Sequence, residues 1–251
     1  MIKISHERGV QIIELSRPDK KNAFTVAMYH QLREALVAAD ADQSVSVILL
    51  TGAGSAFSAG NDLEDFLNFP PENADAPPFR FLNALVQVKK PVVAAVNGLA
   101  VGIGATMLFH CDLVFAQDSA RFSFPFVALG LVPEGASTLL LARLVGHQRA
   151  SEILLLGDPL SAHEAQATGL VNRVIPDQPV RDFALAQAIR LTQLPQGAIL
   201  RTKALLKHPD EVLQRIKLEA ETFVARTKSS AAQEAFAAFL EKRKPNFAGL
   251  D

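Results

Sequence analysis

Residues 92–104 read Val92-Val93-Ala94-Ala95-Val96-Asn97-Gly98-Leu99-Ala100-Val101-Gly102-Ile103-Gly104. The run follows Pro91 and begins as a short, Val-rich apolar stretch, the pattern of a strand buried on both faces. Asn97-Gly98 marks a turn. Gly102 and Gly104 flank Ile103, and the next residues, Ala105-Thr106-Met107-Leu108-Phe109-His110, suit a buried helix. A strand therefore feeds a glycine-rich turn at a helix N-terminus. Backbone N–H groups at that end lack intrahelical partners and face outward, toward negative charge. Glycine on both sides lets a ligand oxygen approach the Ile103 N–H closely. The same pattern also suits a tight turn that serves packing alone.

Working outward, strands alternate with helices. Residues 2–7 and 10–16 alternate as two strands around a Glu7-Arg8-Gly9 hairpin turn. Arg17-Pro18-Asp19-Lys20-Lys21-Asn22 is a polar loop, and a helix is predicted from Thr25 to about Ala39. Val45 to Leu50 reads as a buried strand, broken by Thr51-Gly52-Ala53-Gly54. Ala56-Phe57-Ser58-Ala59-Gly60-Asn61-Asp62-Leu63 is a second glycine-marked turn at a helix start, with Asn61 or Asp62 as cap. A proline-rich loop spans Asn68 to Pro78, and residues 79–88 read as helix. Strand signals recur at 112–116 and 170–174, with an irregular aromatic wall from Phe122 to Leu129. Gly130-Leu131-Val132-Pro133-Glu134-Gly135 is expected to lead into a helix with proline in its first turn. His147 to Leu156 reads as another helix, and Ser161-Ala162-His163-Glu164 is a capping box. After Val180 the pattern is helical, interrupted near Pro195 and Pro209. The expectation is an α/β core over residues 1–195 and a helical C-terminal segment over 196–251. Phe223, Phe236, Phe239 and Leu240 give that segment an apolar face, which must cover this core or a neighbouring chain.

Composition bounds the function. The chain has 251 residues, 49% of them hydrophobic, and a net charge of −1. It can bury a sizeable core. Near-neutral charge argues against nucleic acid as a partner. No apolar run approaches a membrane span of about 20 residues. The opening residues lack a signal-peptide core and the closing Ala248-Gly249-Leu250-Asp251 is no targeting tag, so a cytoplasmic protein is expected. The lone Cys111 excludes an internal disulfide and reads as a small core residue.

Several familiar sites are missing. Met107 stands where Gly-x-Gly-x-x-Gly needs its third glycine, no P-loop occurs, and the segment around Ser58 lacks the first glycine of a nucleophile elbow. The six histidines are scattered, and His110 is expected to be structural. What remains is two glycine-marked turns and a few carboxylates. Two converging N–H donors would form an oxyanion hole, and a carboxylate beside them would be a general base. That pairing suits proton abstraction next to a carbonyl, where the enolate oxygen is the charge to be stabilised.

At these residues the chain resembles the enoyl-CoA hydratase/isomerase (crotonase) superfamily. The resemblance covers nearly the whole length. It runs through Arg17-Pro18 with Asn22-Ala23, then Phe57 to Leu63, then Pro91 to Gly98 with Gly102-Ile103-Gly104 and Cys111-Asp112. It ends at Glu241-Lys242-Arg243-Lys244-Pro245-Asn246-Phe247. It implies a core of repeated ββα turns with a helical C-terminal oligomerisation extension, assembled as a homotrimer or dimer of trimers. It also implies an acyl-CoA thioester substrate and no cofactor beyond the CoA that the substrate carries. By resemblance, the oxyanion donors are the N–H groups of Asn61 and Ile103. Ala23, Ser58, Ala59, Gly60, Asp62, Leu63, Gly102, Gly104 and Phe126 would line the substrate path, with Lys20 and Lys242 toward the nucleotide.

The departures from the family pattern narrow the activity. Hydratases of this family carry two catalytic glutamates. Thr106 stands at the first position and Phe126 follows Pro125 at the second. Glu134, in Pro133-Glu134-Gly135, sits where Δ3,Δ2-enoyl-CoA isomerases of the peroxisomal type place their base. The implied reaction moves the double bond of a 3-enoyl-CoA to the 2-trans position, Glu134 taking a proton from C2 and returning it at C4. Read from spacing alone, Glu134 also suits the first turn of a helix. Asp62, itself a candidate cap, and Glu64 are reserve bases. Because both oxyanion donors are backbone groups, the Asn61 side chain is expected to be dispensable. The alternatives are another crotonase-type enzyme, hydratase-like or a thioester hydrolase, and an inactive acyl-CoA-binding protein.

Overall fold

The computed structural model describes residues 1–250; Asp251, the last residue of the predicted C-terminal segment, lies outside the described residues. The N-terminal hairpin forms as expected, β1 (Ile2–Glu7) pairing antiparallel with β2 (Val10–Leu15). Helix α1 (Val26–Ala41) follows, its N-terminus capped by Thr25, whose side chain accepts from the Met28 N–H. Next come β3 (Val47–Gly52), β4 (Ala56–Ser58), α2 (Leu63–Asn68), α3 (Pro77–Gln87), β5 (Val92–Val96), β6 (Leu99–Val101) and α4 (Ile103–Thr106). The organising stretch thus contains two strands, not one, because Asn97-Gly98 redirects the chain into β6. A 3₁₀ turn, Met107–His110, takes over from α4 where a continuous helix was expected.

β7 (Leu113–Gln117), β8 (Arg121–Ser123), α5 (Ser137–Val145), α6 (His147–Ser151), β9 (Leu160–Ser161), α7 (Ala162–Ala167) and β10 (Arg173–Ile175) complete the core. The last strand begins three residues later than predicted, because α7 and its turn extend to Gly169 and Asn172 holds the Val114 N–H at 2.6 Å. Four helices close the chain: α8 (Val180–Thr192), α9 (Gln196–Leu206), α10 (Pro209–Thr227) and α11 (Ser230–Leu240).

The strands form two sheets, ordered β1-β2-β3-β5-β7-β10 and β4-β6-β8-β9. Each of the pairs β3/β4, β5/β6 and β7/β8 sends its first strand to the larger sheet and its second to the smaller, where β4, β6 and β8 lie parallel. This is the repeated ββα pattern. The apolar runs are continuous because both faces of the larger sheet are covered. Ile48, Leu50 and Ala94 face the core shared with α1 and α3, while Val47, Leu49 and Val93 pack with Val180, Ala184 and Ala188 of α8. The C-terminal helices return over this core. Phe223 packs edge-on against Phe79 and Phe66, with ring centroids 6.0 and 6.2 Å apart, and Phe236 lies 5.6 Å from Phe66. Phe239 and Leu240 stay more than half exposed. Among the described residues no helix is long and apolar enough to cross a membrane, and no cluster could hold a metal ion.

Candidate active site

Pairing in the smaller sheet places the two glycine-marked turns side by side. Ser58 at the end of β4 pairs with Ala100 in β6, so both strands release their turns at the same edge. The approach leaves no room for side chains. Gly60 has φ +86°, and a Cβ there would lie 2.8 Å from the Val101 carbonyl oxygen. A Cβ on Gly104 would lie 2.9 Å from both Cβ and the carbonyl oxygen of Ser58. Phe24 clasps the first turn: its N–H donates to Gly60 O at 2.7 Å and its carbonyl accepts from Asp62 N at 2.8 Å. Between these bonds the Asn61 N–H is left without an acceptor among the described residues, as is the Ile103 N–H at the start of α4.

A cavity of about 560 Å³ opens beside these groups. Ala59, Gly60, Asn61, Asp62 and Leu63 line it from the first turn, and Gly102 and Ile103 from the second. Lys20, Ala23 and Phe126 complete the predicted part of its wall. Its remaining side is the apolar face expected to cover the core or a neighbouring chain: Phe223, Phe236, Phe239 and Leu240 close over the turns from α10 and α11.

Three predicted contacts lie elsewhere. Ser58 is fully buried behind the turn, its hydroxyl donating to Asn22 O at 2.9 Å and accepting from Gly60 N at 3.1 Å, so it braces the turn. Gly104 sits inside α4 against Ser58, away from the cavity wall. Lys242 is exposed in the turn after α11, with φ +55°, and does not reach the cavity of its own chain. Asp62 acts as a cap, as expected: it accepts from Asp65 N at 3.1 Å and pairs with Arg17 at 2.5 Å. Those contacts hold its carboxyl below the usual range despite partial burial, which makes it a poor base.

Glu134 is different. It is 3% exposed and is not among the residues that line the cavity. The expected helix does not include it. α5 begins at Ser137, because Gly135 and Ala136 take left-handed conformations at φ +71° and +58°. Glu134 therefore stands on the bend before the helix. Three groups hold that bend: His110 Nε2 bonds the Gly135 carbonyl at 2.8 Å, Ser137 Oγ donates to Glu134 O at 2.6 Å, and the Glu219 carboxyl accepts from Ala136 N at 2.6 Å. Because a carbonyl only accepts, that His110 nitrogen carries the proton. Burial pushes the imidazole down to about 4, so it stays neutral, in keeping with its expected structural role.

The Glu134 carboxyl accepts a short hydrogen bond from the Thr106 hydroxyl through Oε1, while Oε2 is buried with no partner. Burial, and to a lesser degree the charge of Glu219, raise its pKa to about 8 against the favourable Thr106 bond. Thr106 is one turn of α4 beyond Ile103, so the carboxyl is tied to the second N–H donor. It is also coupled to the first: its charge acts on the buried phenol of Tyr29, and that phenol donates to Asn61 Oδ1 at 2.5 Å. Tyr29 and Asn61 also line a second cavity of about 420 Å³, which shares Asn61 and Phe66 with the first.

Sequence reasoning missed Thr106, Tyr29 and Glu219 as parts of this site. Thr106 had registered only as a missing carboxylate. Tyr29 is the chain's single tyrosine, but its helical context showed nothing beyond a core position.

The model of the enoyl-CoA hydratase/isomerase family matches residues 5–250. The chain is 37% identical to the 1,2-epoxyphenylacetyl-CoA isomerase of Escherichia coli (strain K12), covering 98% of each chain. It is 36% identical to enoyl-CoA delta isomerase 2 of Homo sapiens over 86% of this chain and 57% of that protein. The solved structure of Pseudomonas aeruginosa OdaA is 46% identical and superposes with a TM-score of 0.92, covering 95% of this chain and 98% of that one.

Proposed function

The chain belongs to the enoyl-CoA hydratase/isomerase family, and from that premise we propose that it shifts the double bond of a 3-enoyl-CoA to the 2-trans position with Glu134 as its single acid/base. One observation carries the reading: a buried carboxyl with an unpartnered oxygen is hydrogen-bonded to Thr106, one helical turn from Ile103, and the paired turns at Asn61 and Ile103 each offer an N–H with no acceptor among the described residues.

Glu134, ionised, removes a proton from C2. The electron pair moves into the thioester carbonyl, and the enolate oxygen lies between the N–H groups of Asn61 and Ile103. Protonated Glu134 then delivers its proton to C4, and the double bond moves into conjugation with the carbonyl. One carboxyl serves both carbons, so the absence of acidic side chains at Thr106 and Phe126 is consistent with the chemistry. Phe126 helps keep the site dry, which favours proton return over water addition. Each preorganised N–H donor of this kind is typically worth about 10²–10³ in rate. The acyl-CoA itself brings the only cofactor part, with Lys20 at the cavity wall placed for its nucleotide end.

The chain is further proposed to assemble as a trimer or dimer of trimers. Leu205 and Leu206 are 83% and 76% exposed on α9, and Leu155 and Leu156 are also bare, which is costly for a lone chain. In such an assembly Lys242, outside its own cavity, could serve a neighbouring one.

The test is the absorbance of the conjugated 2-enoyl thioester when the protein meets 3-hexenoyl-CoA. Native protein is expected to convert it. Glu134→Gln, which keeps the shape and loses the base, is expected to fall by about 10²–10⁴. Equal rates from both proteins would exclude Glu134 as the base. Hydration or CoA release in place of isomerisation would move the assignment to another reaction of the family.

A further inference from the structure

We infer that Tyr29 is a positioning residue, its phenol anchoring the Asn61 side chain so that the Asn61 peptide N–H stays aimed at the substrate carbonyl. The inference rests on the oxyanion site proposed above. It runs against the expectation that the Asn61 side chain is dispensable.

The first turn needs such an anchor. Gly60, at φ +86°, gives the chain a conformationally permissive joint immediately before Asn61. The Phe24 clasp bonds Gly60 O and Asp62 N, the groups on either side of Asn61, and leaves Asn61's own N–H free. The peptide that carries the proposed donor is thus held at its oxygen end, through Gly60 O, by one backbone bond, while its Asn61 end has no backbone hydrogen bond. The bond from Tyr29 Oη to Asn61 Oδ1, at 2.5 Å, supplies a second constraint, at the Asn61 end of that peptide.

The anchor is rigid. Tyr29 is 2% exposed in α1, with its ring 5.3 Å from Phe24 and 5.9 Å from Phe81 between centroids. Phe24 therefore contributes twice, through its backbone to the turn and through its ring to the tyrosine that restrains it. Burial first, then the charges of Glu134 and Asp65, hold the phenol well above its usual pKa. It remains protonated, and so a donor, over the working pH range.

The experiment uses a chromophoric cinnamoyl-CoA thioester, whose absorbance moves to the red as its carbonyl oxygen is polarised. The probe reads the N–H donors whether or not the protein turns over any given substrate. Native protein is expected to red-shift the probe. Tyr29→Phe keeps the ring and its packing, so its Tm and probe affinity should match native. Its red shift should shrink and its kcat on 3-hexenoyl-CoA should fall about tenfold at unchanged KM, since a donor is misaimed and not removed. Asn61→Ala should do the same, and the double variant should lose no more than either single one. A native-like shift and kcat in Tyr29→Phe would overturn the inference, as would a double variant that multiplies the two losses. A red shift in native protein without isomerisation would refute the proposed reaction and leave Tyr29 judged by the probe alone. No shift in native protein would refute the oxyanion site and this inference together.

Discussion

At the scale of single residues, the site depends on a carboxyl placed where it would rather be neutral. With a pKa raised to about 8, only about a tenth of Glu134 is ionised at pH 7. In the proposed reaction the ionised form is the base, so kcat/KM is expected to rise with pH to a plateau above about 8, and a pH–rate profile checks it. Thr106→Val removes the one hydrogen bond that favours the charged form. It should move that limb to higher pH, and an unmoved limb would show that the hydroxyl does not steady the carboxylate. The same pKa makes a stability prediction. The folded chain keeps a Glu134 proton that the unfolded chain has released, an advantage fully present below about pH 4.5 and lost as pH rises through about 8. Glu134→Gln should therefore lose less Tm than native protein between pH 5.5 and 8.5. Glu134 was legible in the sequence through its Pro-Glu-Gly setting. Tyr29 was not, because a tyrosine at a core position of a helix gives no sign of where its hydroxyl points.

At the scale of elements, two contacts between distant segments decide the geometry. Glu219 of α10 accepts from Ala136 N at 2.6 Å and Thr138 N at 3.1 Å, capping α5 from outside its own sequence. Burial nonetheless outweighs these bonds and raises its pKa to about 7. Glu219→Ala leaves those buried N–H groups unsatisfied, at a cost of about 1–3 kcal/mol. Thermal unfolding should register a Tm lower by several degrees, with kcat reduced because the Glu134 bend loses its support. Local signals could not have placed this start of α5: proline at 133 suggested the first turn, and the partner that fixes the true boundary lies 83 residues away. The second contact is Gly104 on Ser58. Gly104→Ala should wedge the two turns apart and cost about 10² in kcat, while acyl-CoA binding measured by calorimetry persists. Here the glycine spacing did reveal the turns, because close backbone approach admits few other residues.

At the scale of the whole molecule, the larger sheet was legible because its inner strands β3, β5 and β7 are apolar runs and β1 and β2 alternate around a hairpin turn. The smaller sheet was not, since β4, β6, β8 and β9 are each three residues or fewer and their pairing is long-range. The exposed leucines of α9 lead to a prediction about assembly. Sedimentation of the native protein should give a mass at least three times the 27.1 kDa of one chain, and Leu205→Lys/Leu206→Lys should lower it. The closure of the cavity by α10 and α11 has a consequence in time. The proposed base and both glycine-marked turns have been synthesised once residue 134 is made, but Phe236, Phe239 and Leu240 come about a hundred residues later. At roughly 5–20 residues per second, a ribosome holds the chain for about 5–20 s with its catalytic groups made and its pocket unroofed. An arrested nascent chain ending before α11 should therefore fail to retain an acyl-CoA that the released protein holds.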